Sequence, residues 1–452
     1  MSIPNESRTR SALECVLRRL VALTPEPLDT CYRARYLHSF KPSRRGRRFP
    51  QVTEGETPPN PIESNQHLVA ELERFATFED LRASAFFRTH AEDLRRLLHE
   101  PRIYRAPNPE PRLQAFLRVV EWNIERGSRL EGIVDVLKRH DVLAYADVLL
   151  INEIDAGMAR SRNLNVAFEL SKALSAHAIF GIEYLELTKG TGDERSRGGQ
   201  NTAALHGNAI LTRYDFFEPR IIRLPRCENN FESAERRLGG RIGIMTDIEI
   251  AGRRWCLGNT HLDVVNTPRC RAKQIRSFLG AINEPIAGGG GGRPAIIGGD
   301  LNTHTFARGT RLRAMKNTAT ILASRPGSLR RRLSGPETRE PALRELKKFG
   351  FDTSAFNDRK ATSRSIVSNL DDPTRLPRPM RWWVNSRIGP EGLLLEFRLD
   401  WLAGRGVRAL SAGEVIDNRT GAKSVNPQTF HGLTHNGLAL SDHDPIVVDL
   451  AL

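Results

Sequence analysis

Cysteine is scarce in this chain, and the few cysteines form no metal-binding pattern. The sequence of 452 residues contains five of them, an odd number, with no Cys-x-x-Cys pair. This spacing excludes a zinc-ribbon type of site and favours free thiols in a reducing compartment. The five are Cys15, Cys31, Cys227, Cys256 and Cys270.

Long apolar runs are also missing. No stretch approaches the roughly 18 uninterrupted apolar residues of a membrane span, and Met1 to Arg8 has no apolar leader core. We therefore expect a cytoplasmic protein without a transmembrane segment. The apolar fraction of 39% still supports a packed core and excludes a disordered chain. A length of 452 residues fits one large domain with additions, or two or three ordinary domains.

Acidic residues are outnumbered. The chain has 53 Asp and Glu against 68 Lys and Arg, a formal net charge of +15. This balance suggests an anionic partner, which can be nucleic acid, phospholipid headgroups or a phosphorylated small molecule. The excess is concentrated between Thr303 and Leu399, where 20 basic residues face 9 acidic ones. A segment of this charge is positioned to steer an anionic substrate.

The pattern of apolar residues changes near residue 112. Apolar spacing predicts a short helix from Arg10 to Leu23 and a helical segment from Gln66 to Leu98. Between them, residues 41–66 are rich in proline and contain a basic run, Arg44 to Arg48, which indicates a linker. We expect a helical N-terminal extension of unknown role over residues 1–112, and an α/β domain with a basic insertion over residues 113–452.

Short apolar strands alternate with helical stretches in the α/β region. The pattern predicts strands at Phe116 to Trp122, Val148 to Ile151, Ala209 to Thr212, Arg241 to Ile250, Arg254 to Thr260, Ala295 to Ile297, Leu399 to Ala403 and Ile446 to Leu450. It predicts helices at Leu130 to Tyr145, Asn165 to Ser175, Arg269 to Ala281 and Pro341 to Phe349.

One strand ends in residues that suit catalysis. The apolar run from Ala295 to Ile297 is followed by Gly298, Gly299, Asp300, Leu301 and Asn302. The glycines remove side chains where the backbone turns or is closely approached. Asp300 and Asn302 stand two residues apart, so at strand spacing they share a side and reach one ligand. Taken alone, the same letters also fit an Asx turn.

Four further segments carry polar residues at or beside strand ends. They contain Asn123 after Trp122, Glu153 after Asn152, His261 after Thr260, and the run Ser441-Asp442-His443 before the last strand. Cleavage of a phosphoester needs a hard cation, and Mg²⁺ prefers few carboxylates, which suits Glu153 with Asn123 and Asp442. His443 is a candidate base, and Asp400 could orient its imidazole as the acid does in a catalytic triad.

These motifs, in this order, resemble the endonuclease/exonuclease/phosphatase family, the DNase I-like metal-dependent hydrolases. The matching segments are Trp122-Asn123, Asn152-Glu153, Gly207 to Arg213, Thr260 to Leu262, Gly299 to Asn302, Asp400-Trp401 and Ser441 to His443. The resemblance runs from about Phe116 to Leu452. It implies an α/β (α+β) fold, a four-layer sandwich of two packed mixed β-sheets flanked by helices, with the site at one end.

The resemblance also implies a role for each matching residue. Glu153 would be the main ligand of Mg²⁺, or of Mn²⁺ as the alternative, with Asn123 and Asp442 nearby. Asp300 and Asn302 would position the attacking water and the phosphate, and His261 would contact the scissile phosphate. His443 and Asp400 would form an acid/base pair. Whether Asp300 or His443 is the base stays open at this point.

Three functions compete. The first is a Mg²⁺-dependent nuclease or phosphodiesterase acting on an anionic, polymeric substrate, nucleic acid above all. The second is a phosphatase or phospholipase-type hydrolase of lipid headgroups or small phosphorylated molecules. The third is a catalytically inactive nucleic-acid-binding module. Exonuclease III-type repair enzymes carry other residues around the first Asn and the Glu than Asn123-Ile124-Glu125 and Glu153-Ile154-Asp155, which disfavours abasic-site repair.

Overall fold

The computed structural model describes residues 63–196, 198–284, 292–366 and 394–452, together with the single positions 379 and 382. The chain divides into two compact units, Met1–Pro58 and Pro59–Leu452, and every described residue lies in the second. The helix expected from Arg10 to Leu23 and the basic run from Arg44 to Arg48 fall outside the described residues. Within the described part, no helix is long and apolar enough to cross a bilayer.

The helices and strands alternate along most of the chain. The helices are α1 (Gln66–Glu73), α2 (Phe78–Ala83), α3 (Ala85–His99), α4 (Leu130–Arg139), α5 (Val166–Leu174), α6 (Pro268–Ile282), α7 (Arg311–Ala323), α8 (Pro326–Ser334) and α9 (Pro341–Lys348). The strands are β1 (Arg102–Tyr104), β2 (Phe116–Arg126), β3 (Val148–Ala156), β4 (His177–Glu186), β5 (Leu205–Thr212), β6 (Phe216–Arg223), β7 (Arg237–Gly239), β8 (Ile242–Ile250), β9 (Arg253–Thr260), β10 (Ala295–Asp300), β11 (Ser363–Ile366), β12 (Leu394–Phe397), β13 (Asp400–Arg405), β14 (Gln428–Thr429), β15 (Thr434–His435), β16 (Leu438–Ala439) and β17 (Ile446–Ala451).

Two mixed sheets form the centre of the fold. The eight-stranded sheet has the order β1-β4-β5-β3-β2-β17-β14, with β7 paired to β4, and the five-stranded sheet has the order β13-β10-β9-β8-β6. Each sheet contains a parallel pair, β2 with β3 and β9 with β10, and a helix lies between the two strands in sequence, α4 and α6 respectively. Such crossovers bring the carboxyl ends of neighbouring strands to the same edge of a sheet.

The apolar residues of the two sheets form three layers of core. Side chains between the sheets include Val119, Leu150, Ile244, Ile296 and Leu402, all essentially inaccessible to water. The outer face of the eight-stranded sheet packs against α1 to α5, and the outer face of the five-stranded sheet packs against α6 and α9. The expected four-layer α/β sandwich is therefore confirmed.

The strands and helices expected after residue 113 are all present in the structure, with shifted ends, and the helical segment expected from Gln66 to Leu98 consists of three helices, α1 to α3. The helix expected from Leu130 to Tyr145 is shorter, because α4 ends at Arg139 and only a 3₁₀ turn follows at Leu143–Tyr145. The sequence list omitted β4, although all ten of its residues are buried. Two acids interrupt the apolar pattern by which a buried strand is predicted. They are buried in ion pairs: Glu183 is 2.8 Å from Arg241, and Glu186 is 3.6 Å from Arg237.

The expectation of free thiols is wrong for two of the cysteines. Cys227, in the loop after β6, forms a disulfide with Cys270, in the first turn of α6. The Cα atoms are 6.3 Å apart, within the range that a disulfide spans. Cys256 is buried and free, and Cys15 and Cys31 lie outside the described residues. The separation of 43 residues hid the pairing, because sequence alone does not reveal which distant cysteines meet.

The basic segment after β10 includes a small core of its own. Helices α7 and α8 and the hairpin β11-β12 pack around Phe306, Ile321, Leu329, Leu333, Leu395 and Phe397. Arg332 of α8 donates a hydrogen bond of 2.8 Å to Thr305 Oγ1, five residues after Asp300. Ser363 of β11 forms an isolated bridge with His443. The segment therefore lies directly beside the end of the sandwich that carries Asp300 and His443.

Candidate active site

The predicted site residues converge at one end of the sandwich because of the strand pairing. Asn123 and Glu153 belong to the parallel pair β2 and β3, and His261 and Asp300 stand at the ends of the parallel pair β9 and β10. Asp400 begins β13, which runs antiparallel to β10, and the register pairs it with Asp300. The five residues therefore reach the same edge from two packed sheets.

Asp300 is the centre of this cluster. Its Oδ2 atom lies 3.2 Å from Asn123 Nδ2, 3.4 Å from His261 Nε2 and 3.9 Å from His443 Nε2. Its Oδ1 atom accepts a hydrogen bond of 2.9 Å from the backbone N–H of Asn302. Burial, and next the charge of Asp400, raise the pKa of Asp300 to about 7.

His443 and Asp400 form a tight pair. The imidazole Nδ1–H donates to Asp400 Oδ2 over 2.7 Å, and both residues are buried. Burial alone would lower the pKa of His443, but the charges of Asp400, Asp442 and Asp300 and the hydrogen bond to Asp400 together outweigh it and raise that pKa well above its usual value. Asp300, Asp400 and His443 each offer a ligand atom within 4.8 Å of the others. The hydrogen bond to Asp400 occupies Nδ1, so Nε2 is the ring nitrogen of His443 that remains available.

Glu153 adopts an unusual backbone conformation. Its φ is 54°, in the left-handed region, at an irregularity in the pairing of β3 with β2 and β5. Its Oε1 atom accepts a hydrogen bond of 3.2 Å from Asn123 Nδ2. Burial opposes ionisation here, but the charge of Arg126, the nearby histidines and the hydrogen bond from Asn123 together outweigh it and hold the pKa of Glu153 below its usual value. The site therefore presents an ionised carboxylate beside the carboxamide of Asn123.

Asp442 and Asn302 differ from this central group. Asp442 is exposed, and its Oδ1 lies 3.5 Å from the hydroxyl of Ser441, whose Oγ also donates to the backbone oxygen of Asn123 over 2.7 Å. Asn302 is buried and uses its side-chain N–H on the carbonyl of Leu262, 2.9 Å away. Asn302 thus braces the turn after β10, and Asp442 lies at the solvent-facing rim.

Three asparagines behind the site were not singled out from the sequence. Asn152 Oδ1 accepts the backbone N–H of Asp300 over 2.7 Å, and Asn152 Nδ2 donates to Asn259 Oδ1 over 3.1 Å. Asn208 Oδ1 accepts the backbone N–H of Glu153 over 3.3 Å. These buried amides fix the strand ends that carry the acids. The sequence did hint at their importance, because Asn152 and Asn259 lie next to or near the site residues Glu153 and His261, and Asn208 lies within the matching segment Gly207 to Arg213.

Glu121 and Arg241 were also missed. Glu121 lies on β2 with a fully buried side chain, and neither carboxylate oxygen has a hydrogen-bond partner among the described residues. Burial, followed by the charges of Asp400 and Asp300, raises the pKa of Glu121 well above its usual value. A single acid in the apolar run Leu117 to Trp122 was the signal. Arg241 contacts His261, as described below, and nothing in its sequence context distinguishes it from other arginines.

A comparison with protein-family models agrees with this geometry. The model of the Endonuclease/Exonuclease/phosphatase family matches residues 120–443, which contain Asn123, Glu153, His261, Asp300 and His443. The chain belongs to this family. Members of the endonuclease/exonuclease/phosphatase family hydrolyse phosphoester bonds and generally use divalent metal ions.

Solved structures of endonuclease/exonuclease/phosphatase proteins are similar to this chain at low identity. A family protein from Beutenbergia cavernae has 15% identity and a TM-score of 0.41, over 75% of this chain and 72% of its own. The human Nocturnin catalytic domain has 14% identity and a TM-score of 0.41, over 78% and 97%. A mannosyl-6-phosphatase from Bacteroides thetaiotaomicron has 15% identity and a TM-score of 0.39, over 74% and 100%. No curated protein matches the chain significantly.

Proposed function

We propose that this protein is a divalent-metal-dependent phosphodiesterase that cleaves nucleic acid. The observation that carries the proposal is the convergence on Asp300 Oδ2 of Asn123 and two histidines, beside the ionised Glu153. A carboxylate fixed by three nitrogen groups next to a second carboxylate suits activation of water near a phosphate.

The donor set around Glu153 fits a hard cation. Glu153 and Asp442 offer carboxylate oxygens, with no thiolate in the group. Asn123 adds a carboxamide, whose Nδ2 donates to Glu153 and whose Oδ1 accepts the backbone N–H of Glu125. Such oxygen ligands favour Mg²⁺, with Mn²⁺ as the alternative. We propose that Glu153 is the main ligand and that Asn123 and Asp442 assist it. The bound ion would neutralise charge on the phosphate.

The two acid/base candidates take different roles in this proposal. The pKa of Asp300 is raised to about 7 and that of His443 well above its usual value, each in the direction set by Asp400. At neutral pH, Asp300 is therefore able to accept a proton from water, and His443 is an imidazolium. We assign Asp300 as the base, held by Asn302, and His443 as the cation or acid that meets the developing charge.

The basic segment favours a polymeric substrate. Exposed cationic side chains on and near α7, α8 and α9 include Lys316, Arg325, Arg331, Arg339, Arg344 and Lys347. This segment flanks the Asp300 and His443 side of the site. A row of exposed cations beside a catalytic site suits the phosphate backbone of a nucleic acid more than a single small phosphate.

A substrate panel tests the proposal. Supercoiled plasmid, RNA, a phosphoinositide in vesicles, a sugar phosphate and a generic phosphodiester are incubated with the protein, with Mg²⁺ and with EDTA. We expect Mg²⁺-dependent cleavage of DNA or RNA. Turnover of the phosphoinositide or sugar phosphate alone would favour the lipid or small-molecule hydrolase. No metal-dependent turnover, with retained nucleic-acid binding, would favour an inactive binding module.

The cellular location stays a proposal as well. We propose the cytoplasm, the compartment expected from the sequence. The Cys227–Cys270 disulfide removes the argument from free thiols, since disulfides persist in oxidising compartments. Fractionation of the expressing cell with antibody detection tests this, and recovery outside the cytoplasm would refute it.

A further inference from the structure

The imidazole of His261 lies between two groups of opposite hydrogen-bonding character. Its Nδ1 atom is 2.8 Å from the guanidinium Nη1 of Arg241, and its Nε2 atom is 3.4 Å from Asp300 Oδ2. The His261 side chain is only 3% exposed. Water is therefore largely excluded, and these two neighbours determine which ring nitrogen carries the proton.

The contact with Arg241 permits one arrangement of the proton. A guanidinium donates hydrogen bonds, accepts none and keeps its charge at every accessible pH. The Nδ1 atom of His261 must therefore offer its lone pair to Arg241. The ring proton is then on Nε2, which faces the carboxylate of Asp300 at 3.4 Å. A proton on Nδ1 would instead meet the N–H groups of Arg241, so this contact selects the neutral tautomer protonated on Nε2.

Arg241 is itself held firmly. Its Nη1 also donates to Glu183 Oε2 over 2.8 Å, and Glu183 Oε1 accepts from Asn208 over 3.0 Å. Its guanidinium lies 5.7 Å from the ring centre of Tyr184. The hairpin of β8 and β9 explains the placement, because Gly243 pairs with Thr260 and so brings the residue before β8 beside the residue after β9.

His443, the second histidine of the site, has an acidic partner at Nδ1 where His261 has a basic one. His443 gives its Nδ1–H to the carboxylate of Asp400 over 2.7 Å, which leaves Nε2 directed at Asp300. A carboxylate partner makes an imidazole more basic, whereas a guanidinium partner makes it less basic. The two histidines of the site therefore have different proton chemistry, although both present Nε2 to the same carboxylate.

We propose that Arg241 is a positioning residue that holds His261 as a neutral imidazole with its proton on Nε2, so that His261 donates a hydrogen bond to a phosphoryl oxygen and leaves proton transfer to Asp300 and His443. The role toward phosphate rests on the proposed function. The tautomer itself rests only on the contacts of His261 with Arg241 and with Asp300.

The electrostatic surroundings of His261 agree with this assignment. Burial, and next the charge of Arg241, hold the pKa of His261 well below its usual value. The acids Glu153 and Asp300 and the imidazoles of His206 and His443 also face it, and the acids act in the opposite direction. An imidazolium at this position would place a second cation 2.8 Å from a guanidinium.

Nitrogen NMR of the full chain tests the tautomer without any substrate. The protein is labelled with ¹⁵N-histidine, and the His261 signals are assigned by their loss in His261→Gln. We expect an unprotonated Nδ1 and a protonated Nε2 throughout the neutral pH range, with or without Mg²⁺. A proton on Nδ1 in the wild-type protein would overturn the proposal, whatever the variants do.

Two variants separate positioning from packing. In Arg241→Met the donor to Nδ1 is lost, so we expect His261 to gain a proton on Nδ1 and kcat to fall on the order of 100-fold, with a smaller change in KM. Arg241→Lys restores a cationic donor and should recover part of kcat. Glu183→Gln removes the buried partner of Arg241 but keeps Arg241, so it should lower stability and leave the tautomer of His261 unchanged.

The outcomes distinguish this inference from the proposed function. An Arg241→Met spectrum identical to that of the wild type would refute the role of Arg241. If that variant does not fold, the wild-type and Glu183→Gln spectra still decide. The expected wild-type tautomer, combined with no turnover of any phosphoester, would refute the proposed function and leave the tautomer assignment standing.

Discussion

At the scale of single residues, the site depends on carboxyl groups whose charge is set by burial and by one another. Glu121, Asp300 and Asp400 lie close together between the two sheets, and burial with mutual repulsion raises the pKa of the first two. Three buried acids cannot all carry a negative charge without a cost in stability. We infer that Glu121 stays protonated in the native state and that Asp400 carries the charge that pairs with His443.

The pH dependence of stability tests this arrangement. The unfolded chain releases the Glu121 proton near pH 4.3, about the usual value, while the native state keeps it to a higher pH. The native state then binds more protons than the unfolded state over that range, so stability falls as pH rises through it. We expect Glu121→Gln to reduce this fall, measured as the free energy of unfolding in urea at several pH values.

A matched control is available on the surface. Glu249 is an exposed acid on β8, and Glu249→Gln should leave the pH profile of the wild type in place. If Glu121→Gln also keeps the wild-type profile, Glu121 titrates normally and the charge assignment within the cluster is wrong.

The sequence predicted the residues that follow a strand pattern and missed those that only the packing reveals. Asp300 and Asn302 follow an apolar strand, and the structure places Asn123, His261 and His443 around Asp300, with Asp400 hydrogen-bonded to His443. Glu183 lies on β4 and Arg241 directly before β8, and the contact of Arg241 with His261 exists only because β8 pairs with β9. A single sequence contains no local pattern that indicates this contact.

At the scale of elements, the end of β10 packs very closely against its neighbouring strands. Gly299 has a φ of 140°, and a Cβ atom placed on it would lie 1.8 Å from the carbonyl oxygen of Thr260. A Cβ on Gly298 would lie 2.8 Å from Leu402 and 2.9 Å from Leu150, across the space between the sheets. The two glycines therefore let β10 pack tightly enough to place Asp300 beside His261.

Substitution of one of these glycines tests that role. Gly299→Ala should destabilise the protein by about 3 kcal/mol or more, because both the backbone conformation and the contact with Thr260 oppose a side chain. The melting temperature measures this. Gly280→Ala, within α6 where an added Cβ meets no atom within 4 Å, should instead stabilise by about 0.5 to 1 kcal/mol. Equal melting temperatures for the two variants would contradict the packing described for β10.

The apolar pattern of the sequence predicted the strands whose buried side chains are mostly apolar. It did not predict the strand that buries charged side chains. β2, β3, β8 and β10 were expected because each contains a short run or alternation of apolar residues. β4 was not, because His177, Glu183 and Glu186 interrupt its apolar alternation. Ion pairs with Arg241 and Arg237 make the burial of the two acids tolerable, and such partners are not visible in a local window.

At the scale of the whole molecule, a disulfide connects the loop after β6 to α6. Closing a loop of this length removes freedom from the unfolded chain, and the bond should contribute about 3 to 4 kcal/mol. We therefore expect a dithiol reductant to lower the melting temperature of the wild type. The variant with Cys227→Ser and Cys270→Ser should melt at the temperature of the wild type in reductant, and the reductant should not change its melting temperature. A wild-type melting temperature insensitive to reductant would show that the bond does not form in the protein.

The charge distribution leads to a prediction about salt. If the basic segment binds a polyanion, the affinity for a single-stranded oligonucleotide should fall roughly tenfold or more between 50 and 200 mM salt. Arg325→Ser with Arg331→Ser should flatten this dependence, since both side chains are exposed in the segment. Arg253→Ser, an exposed arginine at the start of β9, should not. A flat response in the wild type would indicate a small substrate.

The central claim is that Glu153 and His443 belong to one metal-dependent hydrolytic site, and turnover of a generic phosphodiester such as bis(p-nitrophenyl) phosphate tests it most directly. We predict turnover with Mg²⁺ and none with EDTA for the wild type. Glu153→Gln and His443→Ala should each lower kcat on the order of 100-fold or more while the unfolding transition stays in place. Wild-type rates from either variant, or turnover that EDTA leaves unchanged, would contradict the account.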